Sequence, residues 1–125
     1  MLLINASVGF SSLHGLGLIA RHDIPMGTLV WRFESTFDRI IGLAQFASLS
    51  AAARRQVEHY GYLYGDAFYL SSDDDRFTNH SDTPNTTFVL GCAYASSHIK
   101  SGDEITADYS EFGASFEQRL RRLRV

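Results

Sequence analysis

The stretch Arg76-Phe-Thr-Asn-His-Ser-Asp-Thr-Pro-Asn85 decides how this chain is read. Two asparagines, a histidine, a serine and a proline within ten residues do not build a regular helix or strand. Asn and Ser side chains bond to nearby backbone groups, and proline fixes φ and removes a donor. Such a segment sets its own backbone and offers polar groups at defined positions. Its density separates it from an ordinary polar loop.

Outward from it, Asp73-Asp-Asp75 reads as a turn and residues 86–94 as one strand rich in β-branched and aromatic residues. The turn Ser101-Gly102-Asp103 leads into a short strand over 104–108, inside Gly102-Asp-Glu-Ile-Thr-Ala-Asp-Tyr109. That segment ends on a tyrosine near Phe112 and Phe116, and taken alone such a tyrosine is a core residue more often than a catalyst. Upstream, residues 62–70 read as strand or loop-and-strand. Residues 51–60 are good helix formers, capped by Ser48 or Ser50 and closed by Gly61. Nearer the start, strands are expected over 2–6, 17–20 and 29–33, with Asp23-Ile-Pro-Met-Gly27 turning between the last two. Residues 116–123 read as a helix with Phe116, Leu120 and Leu123 on one side and arginines on the other. His14-Gly-Leu-Gly-Leu-Ile-Ala allows a tight turn and a close backbone approach. It lacks the third glycine and following helix of a dinucleotide site. Many short strands and two short helices make a mainly β domain.

With 125 residues, 45% hydrophobic and 20% charged, the composition is that of one globular domain with a core of its own. A single cysteine, Cys92, excludes an internal disulfide and a multi-cysteine zinc cluster. The five histidines include no i, i+4 pair, so metal chemistry is not expected, and His22, His59 and His98 read as surface or turn residues. Cys92, in an apolar strand, reads as buried and inert. No stretch reaches the roughly eighteen apolar residues of a membrane span, so a soluble, intracellular protein is expected. The net charge of −3 is unevenly laid out: residues 65–111 carry nine acids against Arg76 and Lys100, and the end of the chain is arginine-rich. An acidic middle favours basic ligands, whereas a nucleic-acid module needs a basic face and stacked aromatics.

Together and in this order, the His14–Ala20 segment, the 76–85 loop and the 102–109 segment resemble the SET-domain protein lysine methyltransferases. The family pattern Arg-Phe-x-Asn-His-Ser-x-x-Pro-Asn followed by Gly-x-Glu-Ile/Leu-Thr-x-x-Tyr is present almost letter for letter, and the resemblance covers residues 8–112. It implies small curled β-sheets with a C-terminal pseudoknot, a single SET domain over 1–125, and a basic helical tail over 118–125. It implies methyl transfer from S-adenosylmethionine to a lysine ε-amine in a basic protein, such as a histone or DNA-packaging protein, without direct nucleic-acid or membrane binding. By the resemblance, His14, Gly15, Leu16 and Gly17 hold the methionine end of the cofactor, and Asn79 and His80 anchor the adenosine. Tyr109 matches the catalytic tyrosine, and Tyr62 aligns more loosely with a second tyrosine of the lysine channel.

Where the family often carries Phe or Tyr two residues before that tyrosine, this chain has Ala107, which leaves room for di- or trimethylation unless Tyr64 or Phe112 fills the gap. With one cysteine, a form without the family's zinc-binding flanking modules is expected. Phe112 or Phe116 is then expected either to stack on adenine, with the terminal helix as lid, or to pack in the core. The insert at 37–60 reads as short and helical. A compact member can also complete its site as a homodimer. The competing reading is a catalytically weak SET module that binds protein or cofactor without turnover.

Overall fold

The computed structural model describes residues 1–112, with Phe112 described by its backbone alone. The expected helix over 116–123, the tail over 118–125 and Phe116 lie outside the described residues.

Residues 6–20 fold as a hairpin. β1 (Ala6–Phe10) pairs antiparallel with β2 (Leu16–Ala20), from Ala6 opposite Ala20 to Phe10 opposite Leu16. The first strand thus starts where the sequence reading ended it. Leu2 makes only an isolated bridge to Trp31, and Leu2 and Ile4 pack on the core from the side. The turn over Pro25–Gly27 leads to β3 (Leu29–Arg32), with Gly27 at φ +87°.

The insert departs from its helical expectation. It opens with a strand, β4 (Arg39–Gly42), before α1 (Leu43–Ser48) and α2 (Ala51–Tyr60). Ser50 caps α2, its hydroxyl accepting from Ala53 N at 3.1 Å. Gly61 ends α2 at φ −83°, so left-handed backbone is not the reason for a glycine here. A Cβ there would sit 2.7 Å from the Val57 carbonyl oxygen, so the glycine is required by close approach. β5 (Tyr62–Tyr64) and β6 (Ala67–Leu70) form a hairpin and give the sheet order β4-β6-β5. Ile41, Val57 and Phe68 are its small buried core.

A 3-10 turn (Asp74–Phe77) leads into the two-residue strand β7 (Asn79–His80). The single strand expected over 86–94 is a hairpin, β8 (Thr86–Val89) and β9 (Cys92–Ala95). Its tip, Leu90 and Gly91, lies at φ +50° and +78°, the two-residue turn that matches strand twist. Cys92 in this hairpin is partly exposed, not buried. β10 (Glu104–Ala107) is followed by a second 3-10 turn (Tyr109–Phe112). β3, β9 and β8 make a second sheet.

β10 lies between strands from distant parts of the chain in the order β1-β2-β10-β7, antiparallel to β2 and parallel to β7. The preceding loop holds it there. Asn85 Nδ2 donates to the Glu104 carbonyl at 2.8 Å, and Thr106 N donates to Asn85 Oδ1 at 2.8 Å. The main core, including Leu18, Ile24, Val30, Trp31, Ile99 and Ile105, packs between the β1-β2-β10-β7 sheet and the β3-β9-β8 sheet. The result is a mainly β fold of small sheets.

Candidate active site

The loop from Ser11 to Gly15 is built by side chains from far along the chain. Asn79 is 6% exposed, and its amide nitrogen donates to the carbonyls of His14 (3.1 Å) and Leu16 (2.8 Å) and to Glu104 Oε2 (3.0 Å). The other Glu104 oxygen accepts from Ser11 Oγ at 2.6 Å, and Ser11 Oγ in turn accepts from the backbone N–H groups of Leu13 and His14. One carboxylate and one amide therefore tie the first hairpin to β10 and β7. Gly17 is the residue that lets them approach, since a Cβ there would stand 2.6 Å from Glu104 Oε2 and 3.2 Å from Asn79 Nδ2. Gly15 turns the loop at φ +48°, a conformation in which an L side chain is strained.

Tyr109 is 7% exposed and held at both ends. Its hydroxyl donates to the Thr78 carbonyl at 2.6 Å, and its backbone N–H donates to His80 Nδ1 at 3.0 Å. Because Nδ1 accepts there, Nε2 carries the hydrogen and faces Asp82 Oδ1 at 3.0 Å. The His80 ring also lies 5.4 Å from the tyrosine ring. Asp108 caps the turn that begins at Tyr109, and bonds from the Ser110 hydroxyl and N–H hold its carboxyl below the ordinary range.

Two cavities meet at this tyrosine. One, of about 180 Å³, has His14, Gly15 and Leu16 on one wall and His59, Phe77 and Asn79 on others. The second, of about 50 Å³, reaches Trp31, Tyr62, Asp75 and Ala107. Tyr60, Arg76, Thr78 and Tyr109 line both. The Arg76 guanidinium sits over the Tyr60 ring at 5.6 Å and the Phe77 ring at 5.2 Å, a cation held by two aromatic faces.

The structure thus brings His14, Gly15, Leu16, Asn79 and Tyr109 to one cavity and Tyr62, Ala107 and Tyr109 to the other. Gly17 and His80 line neither: Gly17 leaves room for the Asn79–Glu104 contact, and His80 buttresses Tyr109. Asn79 directs its amide N–H groups at protein acceptors, so it shapes the loop. The side chain of Phe112 is outside the description. Tyr60, Phe77 and Thr78 were not singled out by the sequence reading, His59 was read only as a surface or turn residue, and Arg76 was given no role. Phe77 and Thr78 carried a signal, standing inside the quoted 76–85 stretch. Tyr60 and His59 carried none, because only the packing of α2 brings them here. Among the described residues no group of three or more His, Cys, Asp or Glu could hold a metal ion.

The model of the SET domain family matches residues 15–110. No significant match was found among curated protein sequences. Among solved structures, an apo ctPRC2 assembly with substitutions in Ezh2 superposes with a TM-score of 0.71 at 21% identity over 93% of this chain and 16% of that chain. A humanized mutant of the Chaetomium thermophilum Polycomb Repressive Complex 2, bound to the inhibitor GSK126, gives 0.65 at 18% identity over 91% and 16%. A Plasmodium falciparum protein described as a candidate histone methyltransferase gives 0.60 at 21% over 86% of this chain and 95% of that one. At these identities the structural likeness shows the fold, and this chain spans a small part of the PRC2 chains. Membership rests on the family model, which covers well over half of the sequence, from the glycine turn to the 3-10 turn after β10: the chain belongs to the SET-domain family.

Proposed function

We propose that this protein is a protein-lysine N-methyltransferase that uses S-adenosylmethionine and acts on a lysine in a basic protein segment, such as a histone or a DNA-packaging protein. The observation that carries the reading is Tyr109, buried and fixed at both ends, on the wall shared by two cavities. A transfer enzyme needs such a point, where donor and acceptor meet with water excluded.

The larger cavity suits an amino-acid-bearing nucleoside. Gly15 gives a backbone turn with open space beside it, Tyr60 and Phe77 give aromatic faces, and Arg76 gives a cation for a carboxylate. When bound, S-adenosylmethionine supplies a methyl group activated by a sulfonium. The rest is positioning by the chain. Tyr109, with its hydroxyl anchored on the Thr78 carbonyl, orients the amine for in-line attack, the kind of alignment that accounts for much of the barrier reduction in such transfers. Carbonyl oxygens such as that of Thr78 also stabilise a polarised methyl through weak C–H···O contacts. The attacking nitrogen must be neutral, and a narrow, partly dry channel lowers the lysine pKa from its ordinary value of about 10.4.

Ala107 sets the product. It is buried at the end of β10 and lines the smaller cavity, where a bulkier side chain would occupy the room a methylated amine needs. Di- and trimethyl-lysine are the expected products, and Ala107→Phe is expected to stop at monomethyl-lysine by mass spectrometry.

Several acids of the 65–111 segment are spent inside the fold, Glu104 on the loop strap and Asp73 on the Leu2 and Asp75 backbone N–H groups. Asp66 stands exposed, and Asp82 and Glu111 are exposed as well, although Asp82 faces His80 Nε2 and Glu111 accepts from Thr87 Oγ1; their negative charge favours a basic segment. The test is calorimetry with S-adenosylmethionine together with labelled methyl transfer to histones and DNA-packaging proteins. Binding with transfer supports the enzyme. Binding without transfer to any basic protein supports a non-catalytic module, and absence of S-adenosylmethionine binding overturns the enzyme.

A further inference from the structure

A third cavity, of about 430 Å³, is one that Tyr109 does not line. Its walls are aromatic: Phe33 after β3, Tyr62 and Tyr64 on β5, Tyr69 on β6 and Phe88 on β8. Strand register explains why they gather. Tyr62 and Tyr64 alternate onto one face of β5, and Tyr62 stands opposite Tyr69 with the two rings stacked at 5.4 Å. Phe68, next to Tyr69 on β6, faces the other way into the small core with Ile41 and Val57. Steep ring angles turn the walls toward different directions: 73° between Tyr62 and Phe88, 79° between Phe33 and Tyr69, and 69° between Tyr64 and Tyr69.

Glu111 is the one charged residue on these walls among the described residues. Its Oε2 accepts from Thr87 Oγ1 at 3.0 Å and from Phe88 N at 3.4 Å, so the carboxylate is tied to β8. Aromatic faces carry partial negative charge, and the carboxylate adds a full one. The cavity is therefore complementary to a cation with flat, apolar faces.

We propose that this cavity binds the guanidinium of an arginine lying within two residues of the target lysine. The inference rests on the methyltransferase reading for that lysine and deepens it by naming a neighbour that the substrate segment carries. A guanidinium suits the walls better than an ammonium, because it is planar, weakly hydrated, stacks on ring faces and pairs with a carboxylate. The spacing follows from shared walls: Tyr62 and Phe88 line both this cavity and the smaller one that reaches Tyr109. A segment with its lysine in the smaller cavity passes this one. On an extended chain, side chains two residues apart point the same way and stand about 7 Å apart.

The test is the binding of fluorescent peptides to the intact chain, read by anisotropy. Each peptide is a glycine-serine segment with one lysine, and each of the four positions within two residues of it carries arginine, citrulline or trimethyl-lysine in turn. Citrulline keeps the shape of arginine and removes its charge. At one of the four positions arginine is expected to bind about tenfold more tightly than citrulline. Glu111→Gln, which keeps an acceptor for Thr87, is expected to reduce that ratio to about threefold or less. Tyr64→Leu should do the same and Tyr64→Phe should not; Tyr64 is 69% exposed, so the fold tolerates both. A ratio near one at every position, or a tenfold ratio untouched by Glu111→Gln and Tyr64→Leu, overturns the proposal. Tighter binding of trimethyl-lysine than of arginine also overturns it, in favour of a methyl-lysine site. Labelled methyl transfer to the same peptides keeps the two readings apart: arginine-dependent binding without transfer to any peptide counts against the methyltransferase and supports the arginine site.

Discussion

The loop strap and the insert are stabilised in opposite ways. Around His14–Gly17, contacts run between residues far apart in sequence and through polar atoms, with Asn79 and Glu104 each serving several partners. The β4–β6 insert is held by a small apolar cluster of Ile41, Val57 and Phe68 within one stretch of chain. Hydrogen-bond geometry fixes atoms to tenths of an ångström, whereas an apolar cluster tolerates repacking. The first region can therefore position a reaction, and the second serves as a support that brings Tyr60 to the site.

Substitutions should separate the two. Asn79→Ala removes the donor shared by two carbonyls and a carboxylate, leaving buried acceptors unpaired, and is expected to cost roughly 3 kcal/mol. Chemical denaturation should read that loss, and calorimetry should read weakened S-adenosylmethionine binding. Gly17→Ala drives a methyl group against Glu104 Oε2 and is expected to cost about 1–3 kcal/mol and to weaken binding as well. Ile41→Val, in the insert, is expected to cost about 1 kcal/mol and to leave cofactor affinity unchanged. Equal weakening of binding by all three variants would erase the distinction.

Stability against pH sharpens the same contrast at the Asp75 cavity. The folded carboxyl titrates at about 6, above its ordinary 3.8, so between those values the folded state binds more protons than the unfolded chain. Stability should therefore fall as pH rises through this window and level off above it. Asp75→Asn should remove that slope, and denaturation midpoints at pH 4, 5, 6 and 7 would show whether it does.

The mainly β fold class was legible in the sequence, and so were the segments that gather around Tyr109. The residues of 76–85 and 102–109 each have a specific bonding task, so their order survives as a readable pattern: Asn79 straps, His80 buttresses, Asn85 locks β10, and Tyr109 stands at the junction. Strand limits had no such signature. β4 was missed because Arg39-Ile-Ile-Gly is short and opens a helical stretch. The 86–94 hairpin was missed because its turn puts an exposed leucine, Leu90, at positive φ, where glycine or asparagine is the usual signal. The sheet order and the placing of Tyr60 depend on long-range packing that no local pattern encodes.

The central claim is that Tyr109 stands where methyl donor and lysine meet. The direct measurement is single-turnover methyl transfer, wild type against Tyr109→Phe, at saturating S-adenosylmethionine with its affinity measured in parallel. The account predicts cofactor affinity within a few-fold of wild type and a transfer rate at least about a hundredfold lower, the penalty of a misplaced acceptor. Equal transfer rates in the two proteins would contradict it.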